Sequence, residues 1–265
     1  MQQYDGIQEA YAQYRETTYH AIEQEFVFSL MKSHISGARI LDLACGPGSY
    51  SYDFLTLGAS FVVGVDISSD AIHTAVSRGG GNSDSEMIKF LIADCMRPEK
   101  YLGGGFDVVF AAWLLDYASD REKLTNMFRT IRMNLKEGGH LFAVTFPPSD
   151  HPEEYFKEEK RIRPREISAA GVVPISYQET EDGIAARYIL YSPGVPDAPL
   201  DTNFLRKEVY EKAAADAGFT SPIQWVDQKV PERFLNGEET PHGTSIRELE
   251  TYNKLPFFSV LCLVG

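Results

Sequence analysis

Three acids stand at the ends of three short apolar runs. Asp42 lies inside "ILDLACGPG" (residues 40–48), Asp66 closes "FVVGVD" (residues 61–66) and Asp94 follows "FLIA" (residues 90–93). Runs of this length bounded by turn residues read as buried strands. After Asp42 come Gly46 and Gly48, and glycines in such a turn let the backbone approach a ligand closely. An acid at the end of the second strand of an open α/β sheet is placed to take ribose hydroxyls, which is the expectation for Asp66. Asp94 is placed to accept from an exocyclic amine. A carboxylate ahead of the glycines, at Asp42, repels a pyrophosphate and suits a cation such as an ammonium; the alternative is that Asp42 only caps the loop. Together the acids fit a ligand with a positive end, a ribose and a base. They do not fit a dinucleotide, because Tyr50 and Ser51 stand where the third glycine of that fingerprint would help helix packing.

The elements that must position these acids follow from the rhythm of the chain. Strands are expected at residues 38–44, 61–65, 87–92, 106–111 and 140–146, alternating with helices at 49–57, 68–77 and 120–135. That alternation is the signature of βαβ units and a parallel sheet. Ser68 or Ser69 is expected to cap the second of these helices. In the third, Leu124, Met127, Phe128, Ile131 and Leu135 share one face, and Lys136-Glu137-Gly138-Gly139 reads as its glycine stop. A long amphipathic helix is expected over 8–32. After Pro147-Pro148 the periodicity fails, so residues 147–183 read as an irregular lid or insertion. A strand at 184–191, a loop around Pro193, Pro196 and Pro199, a helix over 204–217 and strands at 223–228 and 257–264 complete the reading.

Composition narrows the class. With 25 Lys+Arg against 38 Asp+Glu the net charge is −13, which disfavours a phosphate-backbone partner. The one basic stretch, "KEEKRIRPRE" (residues 157–166), is interleaved with glutamates and reads as a solvated helix face or loop. No apolar run approaches the roughly 20 residues that cross a bilayer, and the first ten residues lack a signal-peptide core. Three cysteines without a CxxC pair argue against a disulfide framework or a zinc site and suit a reducing cytoplasm. No metal ligand set is evident.

The motifs "LDLACGPG", "VVGVDIS", "IADC" and "LKEGGHLFAVTF", in this order and spacing, resemble the class I S-adenosylmethionine-dependent methyltransferases. The resemblance covers about residues 35–146. "FDVVFAAWLLDYAS" and the N-terminal Tyr4-Asp5, Tyr11 and Arg15 are similar to the toxoflavin-type members, which act on small heterocycles. One departure is Ala44, which stands where the family has a glycine. The resemblance implies a Rossmann-like, doubly wound, seven-stranded sheet, mostly parallel with the last strand antiparallel, plus an N-terminal helix and a lid insertion. It implies a single methyltransferase domain over 1–265, with a helical lid at 1–34, a cofactor core at 35–146, a substrate lid at 147–203 and a C-terminal helix and strands at 204–265.

It also implies the site. S-adenosylmethionine would contact Asp42, Ala44, Cys45, Gly46 and Gly48, the ribose would meet Asp66, and the adenine would sit between Ile67 and Cys95 beside Ala93 and Asp94. Ala111 would line the floor below the methionine portion, and Tyr11 and Arg15 would cover the cofactor, Arg15 pairing with its carboxylate. No residue declares itself a general base. His151, Trp113 and Asp116 are the candidates near the acceptor: His151 as a base, Trp113 as a stacking surface, Asp116 as an orienting acid or a turn cap. The acceptor would be a small molecule, with nitrogen the first choice and oxygen or sulfur next. Two alternatives stay open: a cyclase, isomerase or non-catalytic subunit on the same fold, and an NAD-dependent oxidoreductase, against which Asp42 and the missing glycine speak.

Overall fold

The computed structural model describes residues 17–79, 86–167, 170–192, 194–236 and 245–265. The elements are α1 (Thr18–Ile35), β1 (Arg39–Leu43), α2 (Ser49–Thr56), β2 (Phe61–Asp66), α3 (Ser69–Arg78), β3 (Ile88–Ile92), β4 (Phe106–Ala112), α4 (Arg121–Asn134), β5 (Leu135–Thr145), α5 (Pro152–Ile162), β6 (Gly171–Glu179), β7 (Gly183–Ser192), β8 (Val195–Leu205), α6 (Lys207–Asp216), β9 (Gln224–Asp227), α7 (Glu232–Leu235), α8 (Ile246–Lys254) and β10 (Ser259–Val264). None of the described helices is long and apolar enough to cross a membrane. The chain divides into two compact units.

One unit comprises Leu30–Thr145, Glu208–Val226 and Val260–Gly265. Its seven-stranded sheet has the order β3-β2-β1-β4-β5-β10-β9. β1 pairs in parallel with β2 and β4, β2 with β3, and β4 with β5. The end of β10 meets the start of β5, with Gly265 N–H on Gly139 O and Gly138 N–H on Gly265 O, both at 2.9 Å, so the last strand runs antiparallel. The parallel pairs are those that the alternating rhythm called for, and the seven-stranded Rossmann-like sheet is the one that the resemblance implied. Val62, Val63, Val65, Val108, Val109 and Phe110 are buried, as strands covered on both faces require. α4 buries Leu124, Met127, Phe128 and Ile131, the face expected from their spacing. Ser68 caps α3 by accepting the Ala71 N–H at 3.2 Å.

Where the chain departs from expectation, proline and glycine chemistry explains it. Lys136, Glu137, Gly138 and Gly139 do not stop α4; they lie inside β5, which starts at Leu135. Gly138 takes φ +71°, and the β4–β5 register shifts between Phe106 and Val108, so the glycine signal marks a bulge. Residues 147–183 are not irregular: they contain α5, a 3₁₀ turn (Arg165–Ile167) and β6. Pro196 and Pro199 do not form a loop either, for they lie in β8, while Pro193 is outside the described residues. In the three-stranded sheet ordered β6-β7-β8, β8 and the Pro174-bearing β6 are edge strands, where a missing N–H costs no ladder bond.

The other unit comprises Met1–Ser29, Phe146–Lys207 and Asp227–Ser259. Its core is aromatic. Phe146 stacks on Phe204 (4.9 Å between centroids) and Tyr188 (5.7 Å), and Tyr155 meets Phe204 edge-on at 5.2 Å. Exposed fork pairs such as Arg187 Nε to Asp201 Oδ1 (2.6 Å) lie outside that core.

Near the start of β5, the imidazoles of His34 and His140 face each other with centroids 4.3 Å apart. Burial, then the facing His34, then Lys136 hold the His140 imidazole below its ordinary value. A base depressed in the folded state takes its proton first in the unfolded state, so its contribution is present above about pH 6.5 and lost as pH falls below that value. Urea unfolding should therefore give a midpoint that falls between pH 7.5 and 5.5, with a shallower fall in His140→Phe. An equal slope in the variant would contradict this.

Candidate functional site

The parallel register brings the strand-end residues to one edge. Leu43 is opposite Val65 and Ala111, and Asp66 is opposite Ile92. The residues that follow each strand, Ala44 to Gly48, Ile67, and Ala93 to Cys95, therefore share the carboxyl edge of the sheet with Asp66 and Ala111. In open α/β sheets this edge is where ligands bind.

Asp66 organises the edge. Its Oδ2 accepts the Gly46 N–H and its Oδ1 the Ser68 N–H, both at 2.8 Å. One carboxylate thus ties the glycine turn after β1 to the start of α3. Charge-assisted bonds of this type are about twice as strong as neutral ones. The ladder continues past the strands, with Cys45 N–H on Val65 O and Ala93 N–H on Asp66 O, each at 3.0 Å.

The two glycines have different reasons. Gly46 takes φ +53°, and a Cβ there would meet nothing within 4 Å, so the backbone is open on that side. Gly48 takes φ +76°, and a Cβ there would lie 2.9 Å from Phe90 Cζ and 3.1 Å from Ala75 Cβ. The first glycine bares the backbone; the second lets the turn settle onto Phe90. Ala44, at the position of the family's glycine, has φ +55°. Alanine in that region is strained by roughly 1–2 kcal/mol, which explains why glycine suits the position.

The other acids are placed differently from one another. Asp42 is 2% exposed and its Oδ2 accepts the Ser51 hydroxyl of α2 at 2.5 Å. Asp94 Oδ1 accepts the Met96 N–H at 3.0 Å, and its Oδ2 faces Arg97 Nε at 3.5 Å in an exposed pair. Cys45 and Cys95 are buried, and burial pushes the first thiol well up and the second up to about 12, so neither is a thiolate at neutral pH. Ile67 is 46% exposed beside Asp66, and Ile92, opposite Asp66 in β3, is 60% exposed. The sequence reading used Ile67 and passed over Ile92. Its signal was the register: the last apolar residue of a strand level with the acid of its neighbour.

Trp113 follows β4 with φ +58°, a conformation rare for a bulky side chain, and its N–H reaches Val144 O at 2.9 Å. Just beyond, Asp116 sits in a 3₁₀ turn (Leu115–Tyr117) and is 2% exposed. Its Oδ1 accepts the Thr145 hydroxyl at 2.5 Å and the Tyr210 hydroxyl at 3.3 Å. Burial first, then the Asp116 charge, raises the Tyr210 phenol well above its ordinary value. Tyr210 was not foreseen, and nothing in the sequence links a residue of α6 to a turn 94 positions earlier. His151 belongs to the other unit, where it is exposed at the start of α5 beside Glu153 at 3.6 Å. Tyr11 and Arg15 lie outside the described residues.

Residues 40–139 match a sequence family described as "Methyltransferase domain". Among curated proteins, phosphoethanolamine N-methyltransferase 1 of Arabidopsis thaliana is 31% identical over 127 residues, 46% of this chain and 25% of that one. A ubiquinone biosynthesis O-methyltransferase of Paraburkholderia phymatum is 28% identical over 113 residues, 43% of this chain and 46% of that one. The chain spans between a quarter and about half of the length of these relatives. Among solved structures, an S-adenosylmethionine dependent methyltransferase from Mesorhizobium loti aligns with a TM-score of 0.56 at 19% identity, over 90% of this chain and 96% of that one. SAM-bound CalS10, an amino pentose methyltransferase from Micromonospora echinaspora, aligns with a TM-score of 0.57 at 16% identity, over 98% and 97%. These likenesses show a shared fold.

Two substitutions test the geometry. Gly48→Ala puts a Cβ against the Phe90 ring in left-handed backbone and should cost about 1–3 kcal/mol in urea unfolding. Tyr210→Phe removes a hydroxyl donor to a buried carboxylate and should also cost about 1–3 kcal/mol. Stabilities equal to the parent would show that these contacts do not hold the edge together.

Proposed function

We propose that this chain is an S-adenosylmethionine-dependent methyltransferase acting on a small molecule. A nitrogen of a specialised metabolite is the first choice of acceptor, with oxygen or sulfur next, and the cytoplasm is its place of work. The single observation that carries the reading is the Asp66 carboxylate, fixed beside the open backbone of Gly46 at the carboxyl edge of the sheet. The methyltransferase-domain match over residues 40–139 supports it, as do relatives whose names include both N- and O-methyltransferases.

The residues present fit the cofactor. Asp66 anchors the turn through its carboxylate, and a carboxylate is the acceptor-only group that ribose hydroxyls call for. Ile67 and Cys95 wall the adenine, with the exposed Ile92 beside them, and Asp94 faces its amine. Asp42, whose carboxylate also accepts the Ser51 hydroxyl of α2, serves the ammonium end directly or through water. Ala111 floors the methionine portion. When bound, the cofactor supplies an activated methyl on a sulfonium. The chain's part is to hold the acceptor in line with that methyl, which is worth up to roughly 10 kcal/mol of barrier, and to exclude water. Trp113, held in a left-handed turn at the end of β4, gives a planar acceptor a face to stack on, and the Thr145–Asp116–Tyr210 hydrogen bonds fix the turn after it. An acceptor that is already nucleophilic near neutral pH, such as a ring nitrogen, an acidic phenol or a thiol, needs no protein base, consistent with Asp116 being engaged in these bonds.

Calorimetric titration with S-adenosylhomocysteine should show saturable binding in the micromolar range; absence of heat would end this reading. Incubation of the protein and S-adenosylmethionine with small-molecule extract should yield a product heavier by about 14 mass units, one methylene. A substrate that changes without gaining that mass would favour the cyclase or isomerase reading.

A further inference from the structure

The unit built on β6–β8 contains a charged pair that a stretch of solvated charge would not contain. Arg163 is 2% exposed and Glu159, four residues earlier on α5, is fully buried. Arg163 Nη1 donates to Glu159 Oε1 at 3.2 Å, and Tyr188 donates its hydroxyl to Glu159 Oε2 at 2.9 Å. The guanidinium lies over Tyr252, 4.9 Å from the ring centroid, with Phe257 at 5.7 Å. Tyr19 closes the box, edge-on to Tyr252 at 4.7 Å and to Phe257 at 5.5 Å.

The remaining edge of the fork is unmatched. Arg163 Nε and Nη2 are buried and make no hydrogen bond of good geometry among the described residues, although the Tyr155 phenol lies close enough to the guanidinium to interact with it. Buried donors without a partner are rare in native proteins, and each asks for an explanation. These two are not scattered. They are adjacent donors on one side of a rigid planar group, the geometry that receives oxygen acceptors in parallel. We infer that the Nε–Nη2 edge of Arg163, framed by Tyr19, Tyr252 and Phe257, is a binding site for the carbonyl oxygen of a flat, uncharged, conjugated ligand.

Charge selects the carbonyl over a carboxylate. Glu159 already balances Arg163, and Glu248, 3% exposed, adds a second acid to the same surroundings. The phenols of Tyr19, Tyr155, Tyr188 and Tyr252 are all raised, primarily by burial, and carry no charge. An anionic ligand would add negative charge to a buried cluster that is already balanced or acidic, whereas a neutral acceptor meets both donors without that penalty. Aromatic rings suit a flat conjugated partner. Identification of this ligand with the methyl acceptor rests on the transferase reading above; the docking itself does not.

The test follows the Arg163 Nε–H directly, without cofactor or methyl transfer. Protein labelled with ¹⁵N-arginine is titrated with 1-methyl-2-pyridone, a neutral flat carbonyl, with benzoate as the anionic arm and benzyl alcohol as the control. The cross-peak is assigned by its loss in Arg163→Lys. The expected result is a saturable downfield shift with the pyridone and a smaller one with benzoate at equal concentration. A shift with benzoate alone overturns the neutral-carbonyl assignment. No shift with either, or the same shift with benzyl alcohol, means that ordered water alone meets the donors and overturns the site.

Removing one partner of a buried pair strands the other charge, so Arg163→Lys is checked by circular dichroism and backed by the double variant Glu159→Leu/Arg163→Met, which removes both charges together. The folded double variant should lose pyridone binding at least tenfold and keep its affinity for S-adenosylhomocysteine. Retained pyridone binding overturns the inference. Loss of S-adenosylhomocysteine binding by the parent protein would instead count against the transferase reading alone.

Discussion

The candidate site depends on one carboxylate. Asp66 accepts the Gly46 and Ser68 N–H groups at 2.8 Å each, and so couples the turn after β1 to the helix after β2. Without it, the glycine turn has no charged anchor at its open end. With it, the open backbone at Gly46, the acid and the two exposed isoleucines are held at a single edge. The pairing of Asp66 with Ile92 in the register carries that arrangement into β3.

The remainder of the edge is built to tolerate this constraint. The turn bends through left-handed residues at Ala44, Gly46 and Gly48, and the ring of Phe90 packs where a side chain at Gly48 would otherwise sit. Arg78, from α3, reaches back to Ser49 Oγ at 2.5 Å and supports the start of α2. At the end of β4, Trp113 adopts a second strained conformation, and the buried Asp116, Thr145 and Tyr210 bonds secure the turn after it. Strain in non-glycine backbone gathers at the carboxyl edge of the sheet, the pattern of a preorganised site.

Much of this edge was legible in the sequence because local chemistry and global register agree there. A short apolar run ending in an acid is both a strand and a ligand position, and three of them in a βαβ rhythm can only come together at one sheet edge. Legibility failed where a residue's meaning depends on distant partners. Pro196 and Pro199 read as a loop because their place on an edge strand is visible only once β7 is found beside them. Gly138 read as a helix stop because a bulge and a helix terminus make the same demand on φ. Arg163 read as solvated charge, although Tyr155, Phe156, Glu159 and Arg163 lie on one buried helical face, because a glutamate and an arginine do not announce a core. Tyr210 had no signal at all, since its partner Asp116 is in another segment of the chain.

The central claim is that Asp66 holds the ribose of the cofactor while anchoring the glycine turn. It is tested most directly by a double cycle in calorimetry: the parent protein and Asp66→Ala, each titrated with S-adenosylhomocysteine and with its 2′,3′-dideoxy analogue. Hydrogen bonds to a charged acceptor are worth about 1.5–3 kcal/mol each, so the parent should bind the dideoxy analogue on the order of tenfold or more weaker. In Asp66→Ala, with folding verified by circular dichroism, the two ligands should bind alike. Discrimination that persists undiminished in Asp66→Ala would contradict the account.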